Sequence, residues 1–263
     1  MKLATWNVNS IRTRLQHVTD WLTENPVDVL CLQETKVVDA DFPSAAFKDL
    51  GYHPYVFGQK AYNGVALIAQ APLASVSYGF TGILGAEAVG DLDDQKRVIS
   101  GICQGTRVVN LYVPNGSSIG SDKYAYKLRW LGLLKTYLAT LLQEDPALHV
   151  CGDFNIALDD LDIHNPEGKD THIMASPKER ETLRDLLSLG LADAFRKFTP
   201  DGGHYSWWDY RAASFRRNLG WRIDHHYLSP PLYDRAINCT IDVAPRKLEK
   251  PSDHAPVVLE LTA

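Results

Sequence analysis

The sequence lacks most of the features that would assign it to a class at sight. No stretch approaches the ~18 consecutive apolar residues of a membrane-spanning helix, and the start, MKLATWNVN, has no apolar centre like that of a secretory signal. We therefore expect a mature chain that begins near Met1 and works in the cytoplasm, away from membranes. Cysteine is scarce: Cys31, Cys103, Cys151 and Cys239 are the four present, and none is close to another. That spacing excludes a C-x-x-C metal signature. Cys31 and Cys151 lie in apolar runs and read as buried, reduced thiols. An excess of basic residues is missing too. The net charge is −5 and the pI about 6.0, whereas proteins that bind polyanions by bulk charge have pI values above roughly 9. Any basic surface must be local, and part of the acidic excess could be a carboxylate cluster that holds a cation. Low-complexity tracts, Ser/Gly linkers and short-period repeats are also absent. We expect one domain, residues 1–263, long enough to bury a sizeable core.

What is present is a succession of strands and helices. Residues 2–9 alternate like a strand, and Leu15, Val18, Trp21 and Leu22 then share one face of a helix that Pro26 ends. Residues 28–33, DVLCLQ, form the nearly continuous apolar run of a strand covered on both faces. Residues 52–57 and 65–69 look like further strands. Residues 97–104 and 107–113 are β-rich runs joined at Gly105 and Thr106, the spacing of a hairpin. Over 121–142, Leu128, Leu131, Leu134 and Leu138 fall at helical spacing, with Pro146 beyond the end. A strand over 148–156 runs into GDFN. Residues 176–195 read as one helix, in which Ser176 and Glu179 make a capping box. Strands return over 204–208, 221–228, 237–243 and 254–261. Hairpins exclude a purely parallel sheet, and interspersed helices exclude an all-β sandwich. Two sheets with helices outside both would bury the many two-faced strands.

Polar residues concentrate where apolar strands end: Trp6-Asn7-Val8-Asn9, Gln33-Glu34-Thr35-Lys36, Gly152-Asp153-Phe154-Asn155, Arg222-Ile223-Asp224-His225 and Ser252-Asp253-His254. Side chains two apart on a strand share a face. Asp153 and Asn155 can therefore aim at one substrate atom, as can Asn7 with Asn9 and Arg222 with Asp224. Glu34 closes an apolar strand, where a lone carboxylate is costly to bury without a cation or hydrogen bonds. The collected set of Glu34, Asp153, Asp224, Asp253, Asn7 and Asn155 is rich in hard oxygen, which suits Mg²⁺ or Mn²⁺. His254 adds a candidate base. Taken singly, each Asp or Asn is an ordinary turn former or cap.

Together, in order, the segments TWNVNSIR, LQETK, YNGVAL, RVI, NLYVPNG, GDFNIA, YSWWDYR, RIDHHYLS and KPSDHAPV resemble the exonuclease III family of AP endonucleases, within the endonuclease/exonuclease/phosphatase superfamily. The match runs from Leu3 to Leu259. GDFN and SDH mark the superfamily, whereas YVPNG, W-x-DYR and KPSDHAPV narrow it to DNA-repair members. The resemblance implies a four-layer α/β-sandwich, two mixed β-sheets packed face to face with helices on both outer faces. It also implies a Mg²⁺-dependent site (Mn²⁺ in its place is possible) and a monomer acting on double-stranded DNA with abasic sites or blocked 3′ ends. By the same resemblance Glu34 is the principal metal ligand, with Asn7 and Asp253 near the metal. Asp153 handles the proton of the attacking water or leaving oxygen. Asn155 and Tyr112 bond the phosphate, His254 binds it or acts as base, and Asp224 fixes the His254 tautomer.

Other residues carry weaker signals. His225 and His226 are adjacent on a strand and point to opposite faces, so they do not readily chelate one ion and read as packing residues. Trp207, Trp208, Tyr210, Phe215 and Trp221 alternate with Arg211, Arg216, Arg217 and Arg222, a mixture suited to unstacked nucleotides. In the matching family segment, Trp207 and Trp221 would line the abasic-sugar pocket, while Phe215 and Arg216 would touch flanking DNA. Lys36, Asn63 and Lys123 are candidate phosphate contacts. Residues 162–176 depart from the family pattern, and bulk from His172 or Met174 there would favour 3′-end trimming. The acidic stretch 79–94 has no functional account at this level. Two other readings compete: a superfamily relative acting on inositol phosphates, sphingomyelin or RNA tails, and a non-catalytic DNA binder. The DNA-repair motifs argue against the first, and retention of all the catalytic residues argues against the second.

Overall fold

Twelve strands form two six-stranded sheets in the computed structural model, which describes residues 1–262. In chain order they are β1 (Lys2–Asn7), β2 (Val29–Gln33), β3 (His53–Phe57), β4 (Val65–Ala69), β5 (Ala74–Tyr78), β6 (Val98–Cys103), β7 (Thr106–Tyr112), β8 (Leu148–Asp153), β9 (Ala192–Asp193), β10 (Asp224–Leu228), β11 (Ala236–Ile241) and β12 (Val257–Leu261). One sheet has the order β11-β12-β1-β2-β4-β3 and the other β5-β6-β7-β8-β10-β9. Both are mixed, because β1 pairs β2 in parallel and β7 pairs β8 in parallel, while the remaining pairs are antiparallel. The helices are α1 (Ile11–Glu24), α2 (Ser44–Asp49), α3 (Thr81–Leu84), α4 (Ala86–Val89), α5 (Asp122–Glu144), α6 (Pro177–Leu187), α7 (Ala194–Phe198) and α8 (Pro230–Arg235).

The side-chain pattern explains the stacking. Alternate residues of the central strands, among them Leu3, Val29, Cys31, Leu67, Val108, Cys151 and Leu259, meet between the sheets. Their neighbours face outward: Trp6, Leu30 and Ile68 lie under Val18, Trp21 and Leu22 of α1. Val109, Leu111 and Val150 lie under Leu131, Leu134 and Leu138 of α5 and Leu183 and Leu186 of α6. Strands buried on both faces need such covers, and the result is the expected four-layer sandwich. All four cysteines are free and buried.

Several boundaries move. The helix expected over 176–195 stops at Leu187, with its capping box intact: Glu179 N donates to Ser176 Oγ and Ser176 N to Glu179 Oε2. Gly190, at φ 95°, turns the chain left-handed, the usual glycine exit from a helix. Ala192–Asp193 then joins β10 as an edge strand. Residues 204–208 are not a strand; Trp207 makes only isolated bridges to Trp221 and His254. The first strand ends at Asn7 because Asn9 and Ser10 take positive φ. β5 had no sequence signal. The acidic stretch 79–94 is structural: Asp93 accepts bonds from Phe80 N, Thr81 N and Thr81 Oγ1, which seats Phe80 between Trp130 and Tyr137.

Candidate active site

Strand register brings the polar strand ends to one edge of the sandwich. Parallel pairing of β1 with β2 sets Asn7 beside Gln33, so Glu34 follows at the same end. In the other sheet Tyr112 pairs with Asp153, and Asp153 with Asp224. His254 enters just ahead of β12, bridged to Trp207. Residues from both sheets thus converge where the inter-sheet core opens.

The centre is tightly connected. Asn7 Nδ2 donates to Glu34 Oε1 at 2.8 Å and to Asp153 Oδ2 at 2.9 Å. Asn155 N donates to Asp153 Oδ1 at 2.8 Å. His254 Nδ1 lies 2.8 Å from Asp224 Oδ2, and its Nε2 lies 3.7 Å from Asp153 Oδ2. Ser206 Oγ donates to Asp224 Oδ2 at 2.7 Å. Asp224 Oδ1 is buried and has no partner.

These contacts set the protonation states. Burial opposes the charge of His254, but Asp224 and Asp153 outweigh it and raise the imidazole to about 10. Burial pushes the Asp153 carboxyl up to about 7, against the opposing pull of His254 and with the Asp224 charge adding to the rise. Near neutral pH His254 is therefore a cation with a proton on Nε2, and Asp153 can take or release a proton. Burial, and then the Glu34 charge, push the Tyr112 phenol well up, so it remains a donor. Arg97 lies over the Tyr112 ring at 4.6 Å and bonds its carbonyl.

The residues fit a divalent cation. Glu34 and Asp153 bring carboxylate oxygens within 4.8 Å of each other and of a His254 ring nitrogen; the imidazolium carries protons on both nitrogens, so the carboxylates are the ligands. The two carboxylates are hard donors, the class that Mg²⁺ and Mn²⁺ take, whereas Asn7 turns its Nδ2 to both of them and its Oδ1 to Asn9 N, so it orients the carboxylates here. Asp253 stands beside this set rather than in it: its oxygens accept from Asn9 Nδ2 at 3.0 Å and Trp207 Nε1 at 2.9 Å. Lys36 Nζ is 2.8 Å from Glu34 Oε2, so it borders the metal ligand as well as the surface.

Two sequence pairings are corrected. Asn9 does not aim with Asn7, because its positive φ turns it toward Asp253. Arg222 does not aim with Asp224. It lies ahead of β10, where regular alternation has not begun, and bonds Asp162 and Asp193 instead. His225 and His226 do turn to opposite sides, the first to Ile156 O and the second to Val257 O.

The outer candidates surround this centre. Trp207 and Trp221 line a cleft of about 350 Å³ with His164, His172 and Met174. Phe215 packs on Trp208 under Arg246, and exposed Arg216 lines a neighbouring cleft with Tyr210. Asn63 and Lys123 line a cleft of about 650 Å³ together with Arg97 and Tyr112. Four supporting residues escaped the sequence reading: Ser206, Arg97, Asn115 and Lys127. Asn115 Nδ2 donates to Asn155 Oδ1 at 3.1 Å. Lys127, fully buried against Glu179, donates to Asn155 O at 2.8 Å and Asn115 O at 3.2 Å. Asn115 was legible as part of NLYVPNG. A lysine at an apolar helix position was the only signal for Lys127.

Comparison with known proteins agrees with this geometry. Residues 4–254 match the Endonuclease/Exonuclease/phosphatase family. Exodeoxyribonuclease III of Haemophilus influenzae is 34% identical over 99% of this chain and 99% of its own. A 3′ phosphatase from Neisseria, solved with a product DNA hairpin, superposes with a TM-score of 0.95 at 41% identity, covering 100% of both chains. An AP endonuclease from Archaeoglobus fulgidus does so with a TM-score of 0.94 at 40% identity, again over 100% of both chains. Matched end to end in sequence and fold, the chain belongs to the endonuclease/exonuclease/phosphatase family, and within it to the exonuclease III family of AP endonucleases.

Proposed function

We propose that this chain, as one domain over residues 1–263, is a Mg²⁺-dependent DNA-repair phosphodiesterase that works as a cytoplasmic monomer. Its substrates are duplex DNA with abasic sites or blocked 3′ ends. The observation that carries the reading is the convergence of Glu34, Asn7, Asp153, Asn155, Asp224 and His254 at one edge of the sandwich. That set supplies opposite charges and neutral donors at a single point, as hydrolysis of an anionic ester requires.

Glu34, with Asn7 and Asp253 nearby, would hold Mg²⁺, which supplies Lewis-acid polarisation of a phosphoryl oxygen when bound. His254, charged and oriented by Asp224, donates to a non-bridging oxygen. Asn155 and Tyr112 add neutral donors, most effective against the five-coordinate transition state. Asp153, near neutral in affinity for protons, accepts the proton of the attacking water. Trp207 and Trp221 wall the cleft that takes an extruded sugar. Lys36, Asn63, Phe215 and Arg216 meet the DNA around it.

The test uses matched duplexes carrying an internal abasic site, a 3′-phosphate or a plain 3′ end. We expect cleavage that EDTA abolishes and Mg²⁺ restores, with Glu34→Gln raising the metal concentration required. Full activity in metal-stripped protein, or phosphate release from an inositol phosphate but from no DNA, would overturn the reading.

A further inference from the structure

One lysine beside the active centre lies where the helix pattern calls for an apolar side chain. The inward face of α5 carries Trp130, Leu131, Leu134 and Leu138, and Lys127 opens it one turn earlier with no exposed side-chain surface. Its ammonium has three protons and meets three acceptors: Glu179 Oε1, Asn155 O at 2.8 Å and Asn115 O at 3.2 Å. Glu179, also fully buried, is itself fixed. Its Oε1 accepts from Met174 N at 3.1 Å, and its Oε2 from Ser176 N at 3.1 Å and Ser176 Oγ at 2.7 Å. Gly116 leaves room for the lysine stem, since a β-carbon there would come within 3.1 Å of Lys127 Cδ.

Stability does not account for this arrangement. A buried ion pair gains little over well-packed apolar residues of similar volume, so a charge kept in an apolar face serves something else. What it holds are the carbonyls of two residues whose side-chain amides bond each other: Asn115 Nδ2 donates to Asn155 Oδ1 at 3.1 Å. Asn155 sits at φ 48°, in the left-handed region, which a residue other than glycine keeps only when its surroundings impose it. Its backbone N donates to Asp153 Oδ1, and its carbonyl accepts from Lys127. Val113 O takes one Nδ2 proton of the amide at 3.0 Å, and the other is left with a long contact to Asp153 Oδ2, 3.4 Å. That second proton is the one aimed at substrate.

We propose that Lys127 is a positioning residue of the reaction: braced by Glu179, it aims the Asn155 amide at the reacting phosphate. The inference rests on the phosphate-binding role given to Asn155 above. Lys127 has no exposed side-chain surface with which to meet DNA, so its influence is geometric. A donor stabilises the five-coordinate transition state only from about 2.7–3.1 Å of the developing charge, and a misplacement of about 1 Å costs on the order of 10²-fold in rate. Removing the ammonium releases both carbonyls, and with them the left-handed turn at Asn155 and the Asn115 hold on its amide. Glu34 and the outer cleft residues make no bond to Lys127, so the loss falls on kcat rather than on KM.

The experiment measures kcat and KM, per folded protein and at saturating Mg²⁺, on the fastest of the three duplexes above. It compares Asn155→Ala, Lys127→Met and their combination. Lys127→Met leaves the Glu179 carboxylate alone in the core. Should it not fold, Lys127→Met with Glu179→Gln, which removes both charges and keeps a capping side chain, takes its place in every arm. Asn155→Ala should lower kcat by roughly 10²–10³. The lysine variant should lower it by roughly 10–10², with KM within about twofold. Added to Asn155→Ala, it should cost less than about threefold more, because both act through one amide. A lysine that served only the fold would lower the urea midpoint and leave kcat of the folded fraction at the wild-type value. That result, a loss confined to KM, or fully additive losses overturns the inference while the role of Asn155 stands. Unchanged kcat in Asn155→Ala overturns that role and the inference together.

Discussion

Two buried cations stand at the head of β10, each between two carboxylates. Arg222 lies between Asp162 and Asp193, with Nε 2.7 Å from one and Nη2 2.7 Å from the other; Arg196 adds a further bond to Asp162. His254 lies between Asp224 at 2.8 Å and Asp153 at 3.7 Å. The first group is saturated, and its guanidinium cannot give up a proton. It anchors the start of the 162–176 segment, at Asp162, and the end of β9, at Asp193. The second is left under-bonded: Asp224 Oδ1 has no partner and His254 Nε2 makes no short bond. Similar charges in similar burial thus divide into a fixed knot and a reactive one, and the difference is how many of their hydrogen bonds the protein itself satisfies.

The largest expected effect separates the two knots by rate. His254→Ala should lower kcat for DNA cleavage by roughly 10²–10⁴, the range for a positioned acid–base group. Asp224→Asn should cost less alone and little more on top of His254→Ala. Fully additive losses in the double variant would dissolve the reactive pair into two independent residues. Next, Arg222→Met should strand two buried carboxylates and cost about 3–5 kcal/mol in urea unfolding, while the folded fraction keeps kcat within about threefold. A kcat loss like that of His254→Ala, at unchanged stability, would erase the contrast.

Acid sharpens it further. Burial alone would raise Asp162, but Arg222 and Arg196 hold it down at about 2, below the ordinary 3.8. A carboxyl lowered in the folded state stabilises the protein fully above its unfolded value and loses that contribution as pH falls through the folded one. Roughly 2 kcal/mol should therefore disappear between about pH 5 and pH 2. Asp162→Asn should flatten this part of the stability curve; an unchanged acid limb in that variant would remove Asp162 from the knot. The smallest effect concerns the segment the knot anchors. His172 and Met174 line the cleft with Trp207 and Trp221, and an internal abasic nucleotide must be turned out of the duplex to enter it. His172→Gly with Met174→Gly should raise abasic-site incision relative to 3′-phosphate removal. A ratio unchanged within about twofold, ~0.4 kcal/mol in barrier, would pass the role of selector to residues 207–221.

Much of this was legible because the signals are local. Two-faced apolar runs such as DVLCLQ locate central strands, and the Ser176–Glu179 capping box locates a helix start. The long helix over 176–195 failed because a single glycine at positive φ outweighs the apolar spacing around it. β5 was missed because an edge strand with exposed Ala74, Ser75 and Tyr78 has no buried face to impose alternation. Ser206, Asn115 and Lys127 were missed as site residues because each acts on a partner remote in sequence.

The sequence by itself determined which chemical groups end which strands, since burial of one face dictates alternation and leaves the polar residues at the edges. It could not decide which groups meet. Arg222 and Asp224 are two apart, yet they serve different knots because the chain is not yet a strand at Arg222. His225 and His226 are adjacent and face apart, whereas His149 and His226, 77 positions distant, touch. Pairing register across β8 and β10 made those choices, and register is a property of two strands that no single stretch of chain contains.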